Sequence, residues 1–354
     1  MTVIEFFHYN PEELAKAIEG WRESAHIRNE LYKKARPEAA NDKHREARFQ
    51  QELEMHITWI KDIWTQDGRR LASGSTNSTL KIWTPELVFT RNHIVTGGTE
   101  MKGHTGEVSY ILWNPTNSEL LATCSATSTD KGVYFWDIRQ SKPTGIVETN
   151  GENLNMAWSP DGATLVVGDR KDTTRWIDFS SKTIVKTMTH PVETNQTIFS
   201  PDGKVVFTAH ENIVQIYSYP QLEKIHSIGV SSSACYSLDL DPRGRYLAVG
   251  SNDSTVSLWD TTEWLYQGSI AYHNDPIRHS VFSYDGNLIV SAASLSDTIH
   301  IAKVPSGETY KTIKTKGSLD TVAWHPSKNI LAFASGEFEK TRDGDLGRFT
   351  LVVV

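Results

Sequence analysis

This chain is short of most features that would point to chemistry. Its 354 residues include only two cysteines, Cys124 and Cys235, too few for a disulfide framework. Both fall in apolar, strand-like stretches, which predicts buried, reduced thiols and a cytosolic or nuclear setting. No apolar run approaches the ~20 residues of a membrane span. The first residues, interrupted by Glu5 and His8, lack the basic-then-apolar order of a secretory signal. Positive charge is scarce too. The formal net charge of −7 argues against a generic polyanion binder, because phosphate recognition needs clustered Lys and Arg. Thirteen histidines give no two-histidine helical metal motif, and Asp343-Gly344-Asp345 lacks the further ligands of a calcium loop. The chain is therefore read as a non-enzyme with no cofactor and no small-molecule substrate.

What is abundant is repetition. An apolar or aromatic residue ends a strand, a tight turn follows, and a second apolar strand begins. The phrase runs through Trp64-Thr65-Gln66-Asp67-Gly68, Trp158-Ser159-Pro160-Asp161-Gly162, Phe199-Ser200-Pro201-Asp202-Gly203, Leu240-Asp241-Pro242-Arg243-Gly244 and Phe282-Ser283-Tyr284-Asp285-Gly286. Worn copies begin at Trp113 and Trp324. The residues opening the second strand are Leu71, Leu121, Leu165, Val206, Leu247, Ile289 and Leu331, at steps of roughly 50, 44, 41, 41, 42 and 42 residues, the period of four-stranded propeller blades. A third strand alternates cleanly, as in Thr79-Leu80-Lys81-Ile82-Trp83 and Thr255-Val256-Ser257-Leu258-Trp259. A polar fourth strand follows, suited to an outer edge. Eleven Trp, twelve Tyr and twelve Phe supply large rings for the wedges between sheets.

Trp136-Asp137 and Trp259-Asp260, with Gly103-His104 upstream, resemble the signature of the WD40 family. His104, His190 and His273 stand nine residues before Trp113, Phe199 and Phe282, and so share one repeat position. The resemblance implies a hydrogen-bonded network of that histidine with a turn aspartate and the tryptophan of the same blade. It maps onto His104, Asp130 and Trp136, with Asp253 as the turn residue before Trp259. Tyr217, Ala302 and Val352 replace the tryptophan elsewhere. The expected fold is all-β: a seven-bladed WD40 β-propeller over residues 45–354, with a short N-terminal α-helical extension over 1–44.

The seventh repeat runs to Val353 and leaves no chain for its outer strand, so Arg45 to Met55 is expected to supply it. Residues 11–36 read as a helix, capped by Asn10, opened by Pro11 and ended by Pro37. Leu14, Ile18, Trp21 and Ala25 make an apolar stripe on it, which suits either the propeller's own flank or a partner's groove.

Residues entering the first strand of each blade line one rim of the central channel. By alignment with Ser109 they are Ile60, Leu154, Asn195, Tyr236, Arg278 and Asp320, a mixture suited to a protein partner, with Tyr236 and Arg278 as anchors. Longer matches, among them Gly151 to Gly162, Ala248 to Asp260, Asp275 to Gly286 and Thr321 to Ala334, are similar to the WD40 subunits of THO transcription-export complexes. That likeness implies a nuclear scaffold that binds large helical THO subunits and, through them, a DEAD-box RNA helicase and mRNA. Two alternatives stay open. Trp136-Asp137-Ile138-Arg139 resembles the WDxR box of cullin-4 substrate receptors, with Arg139 as the adaptor contact, and a propeller can also bind RNA directly.

Overall fold

A computed structural model describes residues 51–55, 64–75, 77–84, 99–315, 317, 319–341 and 344–354. The proposed helix with Leu14, Ile18, Trp21 and Ala25, the 44/45 boundary, and Ile60 lie outside the described residues.

Among the described residues, twenty-seven strands form seven antiparallel sheets, six of four strands and one of three, arranged as a seven-bladed β-propeller. Blade 1 comprises Leu71–Gly74, Thr79–Trp83 and Thr99–Lys102, with Trp64 bridged to Leu71 where an inner strand would pair. The inner strands of blades 2 to 7 are Tyr110–Trp113, Asn153–Trp158, Thr194–Phe199, Cys235–Leu240, Ile277–Phe282 and Leu319–Trp324. Burial follows position in the blade. The second strands are buried along nearly their whole length, as in Val205–His210 and Leu288–Ala293. Outer strands such as Thr183–Thr189 are almost wholly exposed. Cys124 and Cys235 are free, buried thiols; burial pushes both pKa values up, Cys235 to about 12.

The recurring turn has a chemical reason to recur. Ser159 Oγ donates to Asp161 Oδ1 (2.5 Å), and the Ala163 and Thr164 amides bond back to Asp161 and Ser159. Ser200 with Asp202 and Ser283 with Asp285 repeat this arrangement. Gly162 sits at φ +69°, and a Cβ there would lie 2.7 Å from Asn114 Oδ1 of blade 2, so both conformation and space demand glycine.

Each inner strand is the last in its sheet, which leaves one edge without a strand partner. Side chains and neighbouring backbone satisfy those edge groups from blade to blade. Asn155 Nδ2 donates to the Thr194 carbonyl (3.2 Å). Gln196 donates to the Leu238 carbonyl (3.0 Å) and accepts from its amide (2.9 Å). The Ser280 amide donates to Ser237 Oγ (2.8 Å), and the Phe282 amide to Asp239 Oδ2 (2.7 Å). Trp158 Nε1 reaches back to the Leu112 carbonyl and Trp324 Nε1 to the Val281 carbonyl.

Blade 7 takes its outer strand from the other end of the chain. Gln51–Met55 pairs antiparallel with Gly344–Val353, Gln51 opposite Leu351 and Met55 opposite Gly347. Deleting residues 51–55 strips that pairing and leaves a ten-residue edge open. The expected product is aggregated or unfolded protein by size-exclusion chromatography and circular dichroism; a soluble, folded monomer would refute closure of the ring by this strand.

Candidate functional site

The channel has two mouths of different character. One encloses about 610 Å³ and is lined by Trp64, Trp113, Trp158, Phe199, Leu240, Phe282 and Trp324, the seven residues that open the repeated phrase. Six of these are aromatic rings and the seventh is Leu240, all at strand ends facing this mouth. The opposite mouth encloses about 490 Å³ and is lined by Ser109, Leu154, Asn195, Tyr236 and Arg278, with Glu107, Asn153, Arg170 and Glu193 beside them. Five of the rim positions aligned in the sequence thus share one opening. Asp320 occupies the equivalent strand position in blade 7, and its side chain lies outside the described residues.

A feature not visible in the sequence places these rim residues. In blades 3 to 7, where the inner strand pairs with the second, the register slips by one residue at the same point, whereas blade 2 pairs Tyr110–Trp113 with Leu121–Cys124 without a slip. Asn153 pairs with Asp169 and Asn155 with Gly168, so Leu154 is skipped. Asn195 is skipped in blade 4, Tyr236 in blade 5, Arg278 in blade 6 and Asp320 in blade 7. A bulge leaves the extra residue outside the ladder and redirects its side chain. Blades 3 to 6 therefore present one re-aimed residue each at the same mouth, and blade 7 shares the register slip.

Tyr236 and Arg278 lie against each other, the guanidinium carbon 3.9 Å from the ring centroid. Arg278 Nε also donates to Ser294 Oγ (3.0 Å), and Tyr236 Oη reaches Asn252 Oδ1 at 3.4 Å. The pair is held before any partner arrives, which lowers the entropy cost of using it as an anchor. Arg139 lies elsewhere, outside both mouths. It bonds Asp137 (2.8 and 2.5 Å) and Glu119 (2.9 Å), which raises its pKa; its side chain is 66% exposed. Those ion pairs give Arg139 a role within its own blade.

The histidine network is built in blade 2. His104 Nδ1 lies 2.8 Å from Asp130 Oδ2, and His104 Nε2 lies 2.6 Å from Thr123 Oγ1, which also accepts from Trp136 Nε1 at 2.7 Å. Burial pushes the Asp130 carboxyl up, but the His104 hydrogen bond and charge and the Thr105 and Gly106 amides outweigh it and hold the pKa at about 2. Asp137 is buried beside Arg139, and Asp260 accepts from the Thr262 and Glu263 amides. Thr123 is the hub, and the sequence reading missed it. Its signal was available: a hydroxyl two residues after the second-strand opener, as at Ser73, Thr123, Thr208 and Ser291.

The other repeats depart from the expected same-blade network. His190 bonds Thr174 of the preceding blade (3.0 Å), because His210 occupies the space beside Thr208 (2.7 Å) and the two rings meet at 4.8 Å, tilted by 48°. His273 reaches Ser291 (2.9 Å) but faces His300 rather than a tryptophan, Ala302 standing at that register. Asp253 is held by Ser231 (2.8 Å), where the repeat has no histidine. With Val249 at the hub position, Trp259 turns to Ser257 instead (2.9 Å).

Burial pushes His210, His273 and His325 down from the usual 6.5 to about 4. A neighbouring histidine adds to this for His210 and His273, and Lys328 for His325. A depressed folded-state pKa gives stability that is present above 6.5 and is lost as pH falls through about 4. Thermal melts should show a midpoint that drops steadily from pH 6.5 to about 4, less steeply in His325→Gln; a flat profile over that range would contradict burial of these rings as neutral groups.

Comparison with known proteins matches the geometry. The WD domain, G-beta repeat family model matches residues 47–84, 93–137 and 222–260. Those are the stretches that keep Trp83, Trp136 and Trp259 at the third-strand position. The chain is 35% identical over 289 residues to THO complex subunit 3 of Arabidopsis thaliana, covering 81% of this chain and 90% of that protein. It is 30% identical over 308 residues to the WD repeat-containing protein AAC3 of Dictyostelium discoideum, covering 81% of this chain and 63% of that protein. A weaker likeness, 21% identity over 278 residues, is to protein hir1 of Schizosaccharomyces pombe. The chain belongs to the WD40-repeat family and is a homologue of THO complex subunit 3.

Proposed function

We propose that this protein is the WD40 scaffold subunit of a nuclear THO/TREX-type assembly and has no catalytic role of its own. It holds the large helical subunits of that assembly and supports the coupling of transcription to mRNA packaging and export. A DEAD-box helicase carries the chemistry, and mRNA contact runs through the partners. The similarity to THO complex subunit 3 along 81% of the chain is the observation that carries this reading. The net charge of −7 supports indirect rather than direct RNA contact. The bulge-presented rim supplies the docking face, since a half-buried tyrosine and an arginine already stacked together are of the side-chain types that most often dominate protein interfaces.

The double substitution Tyr236→Ala with Arg278→Ala removes both anchors while leaving the ladder hydrogen bonds in place. Affinity for the large helical subunits, measured by calorimetric titration of purified proteins, should fall by at least ~1 kcal/mol. The melting temperature should not change. Unaltered affinity would remove this face from the docking role.

A further inference from the structure

The two mouths of the channel differ in chemistry. The mouth of about 610 Å³, on the face of the repeated turns, adds Pro115, Pro160, Pro201 and Pro326 to its strand-end rings. Among the described residues that line it, Asp239 is the one carboxylate, and the Phe282 amide donates to that group (2.7 Å). His325, also in the wall, stays neutral because burial pushes its pKa down to about 4. The opposite mouth carries Glu107, Arg170, Glu193 and Arg278. An apolar concavity of this size on a protein surface marks a place that something covers.

The course of the chain says what lies near enough to cover it. The Val354 amide donates to the Asn329 carbonyl (2.8 Å), so the third strand of blade 7 ends beside the turn that carries Pro326. Gln51 lies opposite Leu351, toward that end of the strand, and Met55 lies opposite Gly347, further from it. Residues 1–50 therefore join the propeller on the outer edge of blade 7, at the face of the apolar mouth. The fourteen residues 37–50 separate the stripe-bearing segment from Gln51. Extended, they reach roughly 46 Å. Crossing a blade from outer to inner strand takes three strand spacings, about 14 Å. The reach is ample.

We propose that the chain's own N-terminal segment, residues 11–36, covers the apolar mouth. Its stripe of Leu14, Ile18, Trp21 and Ala25 lies on the proline rim, and the Trp21 ring enters the opening. Lys16, Glu19, Arg22 and Glu23, at the positions between, stay in water. The chemistry suits: a tryptophan brings a large apolar area, and prolines add apolar surface with no amide donor to leave unpaired. The tether also holds the segment at an effective concentration in the millimolar range, which a separate partner of equal chemistry would have to exceed. The inference does not rest on the scaffold reading. It leaves the opposite, bulge-lined mouth as the one open to partners.

The test replaces Trp21 of the full chain with the photo-reactive amino acid p-benzoylphenylalanine, irradiates the purified protein at low concentration and maps the cross-link by mass spectrometry. The expected product is an intramolecular cross-link to residues that line the apolar mouth, such as Met156, Pro160 or Tyr284. Cross-links to the outer strands or the opposite mouth, cross-links between two copies, or none at all would overturn the assignment. A second measurement needs no unnatural residue. Ile18→Ser combined with Trp21→Ser in the full chain should lower the melting midpoint by about 2 °C or more. An unchanged midpoint would count against a covered mouth. Neither measurement uses the helical partners, so failure here leaves the scaffold reading standing.

Discussion

A ring of sheets depends on what its inner strands do with their second edge. Each is paired on one side only, and an unpaired row of amides and carbonyls is both costly when buried and a template for aggregation. In blades 3 to 6 the answer is a relay of side chains. Asn155, Gln196 and Ser237 occupy one repeat position and each meets the backbone or hydroxyl of the next blade. Gln196 satisfies an amide and a carbonyl of the same residue, which fixes the spacing of blades 4 and 5 as a strand pair would. The outer edge of blade 7 is closed differently, by a strand from residues 51–55.

The relay and the channel rim come from the same irregularity. The skipped residue and the relay residue are neighbours in sequence: Leu154 and Asn155, Asn195 and Gln196, Tyr236 and Ser237. Slipping one register turns the first of each pair out to the channel mouth and the second toward the adjacent blade. Display of the rim side chains thus accompanies the contacts that join one blade to the next. A change that straightened the bulge would cost both, whereas truncating the displayed side chain costs only the surface. This separates the functional layer from the structural one in a fold whose blades are otherwise interchangeable.

Much of this was legible in the sequence. The seven second-strand openers gave the period and the blade count, and the registers observed pair Leu71 with Trp83, Leu121 with Trp136, Val206 with Tyr217, Ile289 with Ala302 and Leu331 with Val352. Counting four residues back from each phrase found the rim. The bulges were not legible, because a register slip depends on the facing strand and leaves no mark on the alternation of the inner one. The network hub at Thr123 was missed for another reason: its hydroxyl lies inside a second strand read as uniformly apolar. The rerouting of His190 depends on His210, which stands twenty residues further along and approaches only when blades 3 and 4 pack. Long-range packing decides such cases, and a single sequence read locally does not contain it.

Purification of a tagged copy from nuclei at moderate salt, after nuclease treatment, with partners identified by mass, tests the scaffold reading most directly. Nuclease-resistant recovery of the large helical THO subunits is the predicted result. Recovery of a cullin-4 adaptor in their place, or loss of all partners with the nucleic acid, would contradict it.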